Sequence, residues 1–328
     1  MKTALIILNY NNYEDTINCI ESVEKYNTSP IKYIIVDNGS TRSNTIQTLD
    51  KYLSKRFSNE YILYNENETP KGILPKVCLL SSQTNDGYAQ GNNKGLTLAY
   101  ADEEIDKIMI LNNDILFIED ILDRLIYQLN NLPQCAIISP ILYKKNMNEL
   151  DHNCARHNHS NWEIIITYMM LYKDCLGYIT RKNNERYILL NHSEYTTRNY
   201  IEIELPSGSC MLMNKSFIKS INSFDPHTFL YFEENILYKK TSKLGLKNYL
   251  IPSCKCIHLG ASSTKKTSSI FIDMEGIKSA NYYLKKYCTF NLIQKICWNL
   301  AIFLFKFKLF LKKNIYDTKN HTLLLVKR

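Results

Sequence analysis

Residues 4–40 read ALIILNYNNYEDTINCIESVEKYNTSPIKYIIVDNGS. Ala4 to Leu8 is an apolar run of strand length, and Tyr33 to Val36 is a second. Between them Tyr13, Ile17, Ile20 and Val23 recur at the spacing that lines one face of a helix. The same alternation continues outward. Val77 to Leu80, Ile108 to Leu111 and Ala136 to Ile138 are further near-continuous apolar runs, as in strands covered on both faces. Ile46, Leu49 and Leu53 mark another helical stripe, and Ile121, Leu122, Leu125 and Leu129 a third. Strands alternating with helices predict an α/β fold: a mostly parallel, Rossmann-like sheet with helices on both faces. Ligands of such sheets bind beyond the carboxyl ends of the strands. Polar residues collect there: Asn9-Tyr10-Asn11-Asn12, Asp37-Asn38-Gly39-Ser40 and Asn112-Asn113-Asp114. Any one of these reads as ordinary turn chemistry, but three at one sheet edge point to a site.

At 328 residues the chain can bury a substantial core as one large domain or two fused lobes. Its 45% hydrophobic and 22% charged content exclude a disordered chain and a coiled coil. The apolar run after Met1 is too short for an export signal, and no stretch reaches the roughly 18 apolar residues of a spanning helix. A cytoplasmic location is therefore expected, with the ten cysteines as thiols. Cys254 and Cys256 lack the spacing and the second pair of a zinc site. The net charge of +8 is concentrated late: from Lys278 to Arg328 eleven basic residues face one acid, Asp317. Such a balance suits an anionic partner, and without a recognisable motif nucleic acid is not the expected one. From Ile296 to Phe310 aromatic residues mix with lysines, which fits either an anionic membrane surface at the inner face of the cell membrane or a helix packed on the rest of the chain.

The segment Asn85-Asp86-Gly87-Tyr88-Ala89-Gln90-Gly91-Asn92-Asn93-Lys94-Gly95 holds three of only ten glycines. A glycine-rich turn with Asn92 or Asn93 capping the helix that follows would offer backbone N–H groups to a phosphate or ribose. It is neither a P-loop nor a dinucleotide fingerprint, because the lysine and hydroxyl of the first and the spacing of the second are missing. Residues 141–204 are irregular; Asp151, His152, His157 and His159 match no metal-ligand spacing and read as a polar loop. A regular pattern resumes at Leu205, with Cys210 to Met213 as a strand, a helix around Phe217, another from Glu233 to Leu244, and a final run into His258.

Together these segments resemble, in order, a family 2 glycosyltransferase of the GT-A fold, of a branch described as rhamnosyltransferase-like. The resemblance rests on Ile6 to Asn11, Val36 to Ser40, Asn85 to Gly95, Leu111 to Asp114, Phe224-Asp225 with Phe229 to Glu234, and His258 with Gly260 and Ser262. It implies an inverting transfer of a sugar from a nucleotide diphosphate donor to a saccharide or lipid-linked saccharide acceptor, in capsule or O-antigen type polysaccharide synthesis. It further implies a divalent cofactor, Mn2+ or Mg2+, held by Asp114 and His258. Asn9, Tyr10, Asp37, Asn38, Asn85, Gly87, Gly91, Asn92 and Asn113 would form the nucleotide-sugar site. The chain departs from the family twice. Asn112 replaces the first carboxylate of the DxD motif, and Glu234 replaces an Asp, so Glu233 and Glu234 compete as the acceptor base.

The implied organisation is a nucleotide-sugar-binding half at 1–118, an acceptor and catalytic half at 119–262, and a basic, aromatic helical extension at 263–328. Two alternatives stand beside it. A metal-dependent nucleotidyltransferase would want clustered carboxylates and a basic triphosphate loop; a carbohydrate-binding protein with a degenerate site would need neither.

Overall fold

A computed structural model of the chain describes residues 1–68, 70, 72–147, 149–170, 198–260 and 269–326. Ser262, the expected boundary between residues 262 and 263, and residues 171–197 of the irregular region lie outside the described residues. The first half alternates as its sequence predicts. Strands β1 (Lys2–Asn9), β2 (Ile31–Asp37), β3 (Tyr61–Asn65), β4 (Val77–Ser81), β5 (Ile105–Asn112), β6 (Ile115–Phe117) and β7 (Cys135–Lys144) are interleaved with helices α1 (Tyr13–Tyr26), α2 (Thr45–Phe57), α3 (Gly87–Ala101) and α4 (Leu122–Asn131). The second half adds β8 (Ala155–Arg156), α5 (Asn161–Met169), β9 (Ile201–Ile203), β10 (Leu205–Pro206), β11 (Cys210–Asn214), α6 (Lys215–Ser220), α7 (Glu233–Lys243), β12 (Lys247–His258), α8 (Ser269–Tyr287) and α9 (Leu292–Val326).

The main sheet has ten strands in the order β3-β4-β2-β1-β5-β11-β7-β12-β6, with β9 added on β12. The run from β3 to β5 is parallel throughout, and β7 pairs with β12 in parallel. Strand β11 enters antiparallel between β5 and β7, and β6 and β9 pair antiparallel with β12. This is the mostly parallel α/β architecture that the sequence predicts, extended by C-terminal helices.

The period of two along each strand divides the core. Leu5, Ile7, Tyr33 and Ile35 face α1, α2 and α4, while Ala4, Ile6, Ile34 and Val36 face α3 and α6. Full burial of each such aliphatic side chain contributes about 1.5–3 kcal/mol. A third core forms away from the sheet, where Ile165 and Tyr168 of α5 meet Tyr283 of α8 and Trp298 and Phe305 of α9. No described helix is long and apolar enough to cross a membrane.

The glycine-rich segment corrects one expectation. Helix α3 begins at Gly87, with Asp86 in the N-cap position, so Asn92 and Asn93 lie inside it and cap nothing. A Cβ on Gly91 would stand 2.6 Å from Leu8 Cδ1 and 3.0 Å from Asn38 Nδ2. The glycine there serves close packing of α3 on the sheet, not a turn.

Candidate active site

Parallel pairing in register brings the three polar segments to one rim. Asn9 stands opposite Asp37, and Leu8 opposite Asn112. Asn9 donates from Nδ2 to Asp37 Oδ1 at 2.6 Å and accepts on Oδ1 from Thr16 at 2.8 Å. Asn113 donates to the Asn12 carbonyl at 3.1 Å and to Thr16 Oγ1 at 3.0 Å. Asn9, Thr16, Asp37 and Asn113 are all buried, so this network stiffens the floor of the rim. Tyr10 is half-buried just beyond Asn9.

Asn38 organises the next loop. Its amide donates to Asn85 Oδ1 at 2.9 Å and to the Gly87 carbonyl at 3.0 Å, and Asn85 in turn accepts from the Gly87 N–H at 3.0 Å. Gly87 has φ +78°, and a Cβ there would fall 2.2 Å from the Phe229 carbonyl oxygen. Only glycine lets the head of α3 approach that loop, where the Tyr88 N–H donates to the same oxygen at 2.9 Å. Within α3, Asn92 donates to the Tyr88 carbonyl at 2.9 Å, and its own Oδ1 is buried without a partner.

The short pairing of β6 with β12 sets the next contact. His258 stands opposite Ile115, and the Leu259 N–H donates to the Asp114 carbonyl at 2.9 Å. His258 Nε2 consequently lies 3.4 Å from Asp114 Oδ2 and 3.5 Å from Ser209 Oγ, while Nδ1 lies 2.5 Å from Asp151 Oδ2. Burial opposes a charge on His258, but the flanking Asp114 and Asp151 carboxylates outweigh it and raise the pKa to about 10. Asp151 moves the other way: burial raises it, and hydrogen bonds from His258 and the Asn153 N–H bring it below the usual value.

The glutamate pair opens α7. Tyr231 and Phe232 just before it have φ of 72° and 69°, two successive left-handed residues that each cost about 1–3 kcal/mol. Glu234 Oε1 accepts from Arg156 at 2.8 Å and from the Gly208 N–H at 3.1 Å. Tyr88 donates to the carbonyl of the same Gly208 at 2.6 Å. Glu233 is buried with Oε1 unpartnered; burial first and the adjacent Glu234 charge second raise its pKa to about 8.

A sequence model of the family described as "Glycosyl transferase family 2" matches residues 4–221. The chain belongs to glycosyltransferase family 2. The matched stretch of this family 2 glycosyltransferase stops short of Glu233, Glu234 and His258, which the fold carries to the same rim. Among solved structures, the crystal structure of GalNAc-T7 with UDP, GalNAc and Mn2+ is similar at TM-score 0.58 and 12% identity, over 87% of this chain and 48% of that one. This chain therefore spans about half that protein's length, and the likeness is one of fold. No curated protein matches the sequence.

Asp114 and His258 offer a carboxylate and an imidazole that could hold a divalent ion once the ion displaces the proton the ring carries beside Asp114. Asp114 Oδ1 is buried without a partner, and His258 Nε2 faces the other oxygen of the same carboxylate. Such ions accept one or two protein ligands and fill the rest of their shell with water and substrate phosphates. Among the described residues no three His, Cys, Asp or Glu side chains converge as a closed cage. A separate cavity of about 590 Å³, lined by Lys2, Lys32, Leu74 and Glu104, sits at the opposite ends of the strands and contains none of these groups.

The polar-loop reading of Asp151, His152, His157 and His159 gives Asp151 no role and passes over Arg156. Asp151 belongs to the rim through His258, and Arg156 does through Glu234. The available signal was the fold itself: once β7 runs parallel to β12, the chain leaving β7 must emerge beside His258. His157 instead pairs with Glu204 at 2.6 Å, and burial depresses the pKa of His159.

Proposed function

We propose that the chain transfers a sugar, with inversion, from a nucleotide diphosphate-sugar to a hydroxyl of a saccharide acceptor. One observation carries this reading. The Gly208 N–H donates to Glu234 and the neighbouring Ser209 hydroxyl contacts His258, a proximity that supports a carboxylate base acting beside a metal held by Asp114 and His258. Glu234 would take the acceptor proton, the freed oxygen would attack the anomeric carbon, and the bond to the diphosphate would break with release of the nucleoside diphosphate. A Mn2+ or Mg2+ ion held by Asp114 and His258 would neutralise the charge of the departing diphosphate. Arg156 aims Glu234, and Asp151 fixes the orientation of the His258 ring. Asp37, Asn38 and the turn at Asn85 to Gly87 would bound the nucleotide, with Asn9 and Asn113 holding Asp37 and the Asn12 carbonyl in place.

The motif resemblance supports a rhamnosyltransferase-like enzyme of bacterial capsule or O-antigen type polysaccharide synthesis, acting in the cytoplasm on a saccharide that is free or lipid-linked. The test is a panel of UDP-, dTDP- and GDP-sugars incubated with Mn2+ and with saccharide acceptors. Release of a nucleoside diphosphate that rises with one acceptor is the expected result. Release of pyrophosphate would indicate nucleotidyl transfer, and no product with any donor would favour a binding protein.

A further inference from the structure

Helix α9 is apolar on two opposite sides. Trp298, Ala301, Phe305 and Leu309 are buried against α5 and α8. Leu292, Ile293, Ile296, Leu300, Phe303, Phe307, Phe310 and Leu311 are exposed, Phe303 to 65% and Phe310 to 58%. At about 100° per residue the exposed set falls within an arc of roughly 100°, while the buried set lies across the axis from it. The exposed stripe runs for about 30 Å. Lys295 and Lys306 border one edge and Lys308 the other, and residues 292–312 contain no acid.

We infer that this stripe docks on the surface of an anionic lipid bilayer, with the helix lying in the interface plane. An apolar face flanked by lysines matches acyl chains below and anionic headgroups beside it. The lysines interrupt any span, and no described helix can cross a membrane. A second copy of the chain is the poorer occupant: face-to-face pairing would bring lysine edges together with no carboxylate on either α9 stripe to offset them. This inference does not depend on the proposed reaction.

Sedimentation of the full chain with vesicles tests it. Binding is expected to phosphatidylcholine–phosphatidylglycerol vesicles, to weaken as salt rises, and to be at least about tenfold weaker with phosphatidylcholine alone. Phe303→Ser combined with Phe307→Ser and Phe310→Ser should reduce binding at least about tenfold, with an unchanged melting temperature because these rings are exposed. If that variant melts early, Lys295→Glu with Lys306→Glu decides instead, with an expected loss of about 100-fold or more. Equal binding to both vesicles, no binding to either, or full binding by the charge-reversed variant would overturn the inference. So would a dimer in size-exclusion chromatography that the triple Phe variant abolishes, if the unaltered chain ignores vesicles.

Discussion

Glu233 and Glu234 are neighbours in sequence but meet different surroundings. Glu234 is tethered by a guanidinium and a backbone N–H, whereas Glu233 is enclosed and stays protonated up to about pH 8. If Glu234 is the base, Glu234→Gln should lower kcat by about 10² to 10⁴, with donor affinity by titration calorimetry little changed. Glu233→Gln should be milder; loss of transfer in that variant alone would exchange their roles. Glu233 also predicts a pH effect on stability. Its folded pKa lies above the ordinary 4.5, so its contribution is complete below about 4.5 and is lost as pH rises through about 8. Glu233→Gln, which never ionises, should therefore gain stability relative to the parent across that window, by up to about 1.4 kcal/mol per pH unit in urea unfolding. For the metal, Asp114→Ala should abolish Mn2+-dependent transfer; Asp114 is buried in the turn between β5 and β6 with its carboxylate beside His258, so a lowered melting temperature is also expected, and activity is compared at a temperature where circular dichroism shows both proteins folded. Undiminished turnover would remove Asp114 from the mechanism.

At the scale of elements, the C-terminal helices are fastened by a polar latch as well as by the third core. Asp225 accepts from Tyr282 at 2.8 Å and Tyr287 at 2.5 Å, both on α8, and from the His227 N–H at 3.0 Å. Burial resists its charge, yet the hydrogen bonds from Tyr287 and His227 hold the carboxyl well below the usual aspartate range. Asp225→Ala should cost about 2–3 kcal/mol, measured as a lowered melting temperature at neutral pH. The folded value is depressed, so the parent's advantage is present above about pH 4 and should shrink as pH falls below it. Elements differ in how plainly their residues announce them. Strands β1, β2, β4, β5 and β7 are continuous apolar runs because helices cover both faces of the sheet. Strand β3 escapes such a reading: it lies at the edge, where Ile62 and Leu63 are exposed and no alternation marks a face. The start of α3 escapes it too, because glycines that permit helix-to-sheet contact look like those that make a turn.

The molecule as a whole draws its candidate site from residues far apart in the chain, and this limits what local patterns reveal. Asn9 and Asp37 stand out as candidates because each ends an apolar strand, and Asp114 because it lies in the turn just after one. Asp151 and Arg156 do not, because their partners His258 and Glu234 are reached only through the β7–β12 pairing and the β8–β10 bridge. That arrangement has a consequence for biogenesis. Strand β6 follows β5 at once in the chain but belongs to the far edge, and its described pairing is with β12, more than a hundred residues later. While the chain leaves the ribosome, the parallel half from β1 to β5 can assemble, but β6 and one side of β7 wait as open template edges. A nascent chain arrested at Gly245 should therefore aggregate or recruit chaperones, whereas one released past His258 should resist protease; equal solubility of the two would show that β12 is not the closing strand.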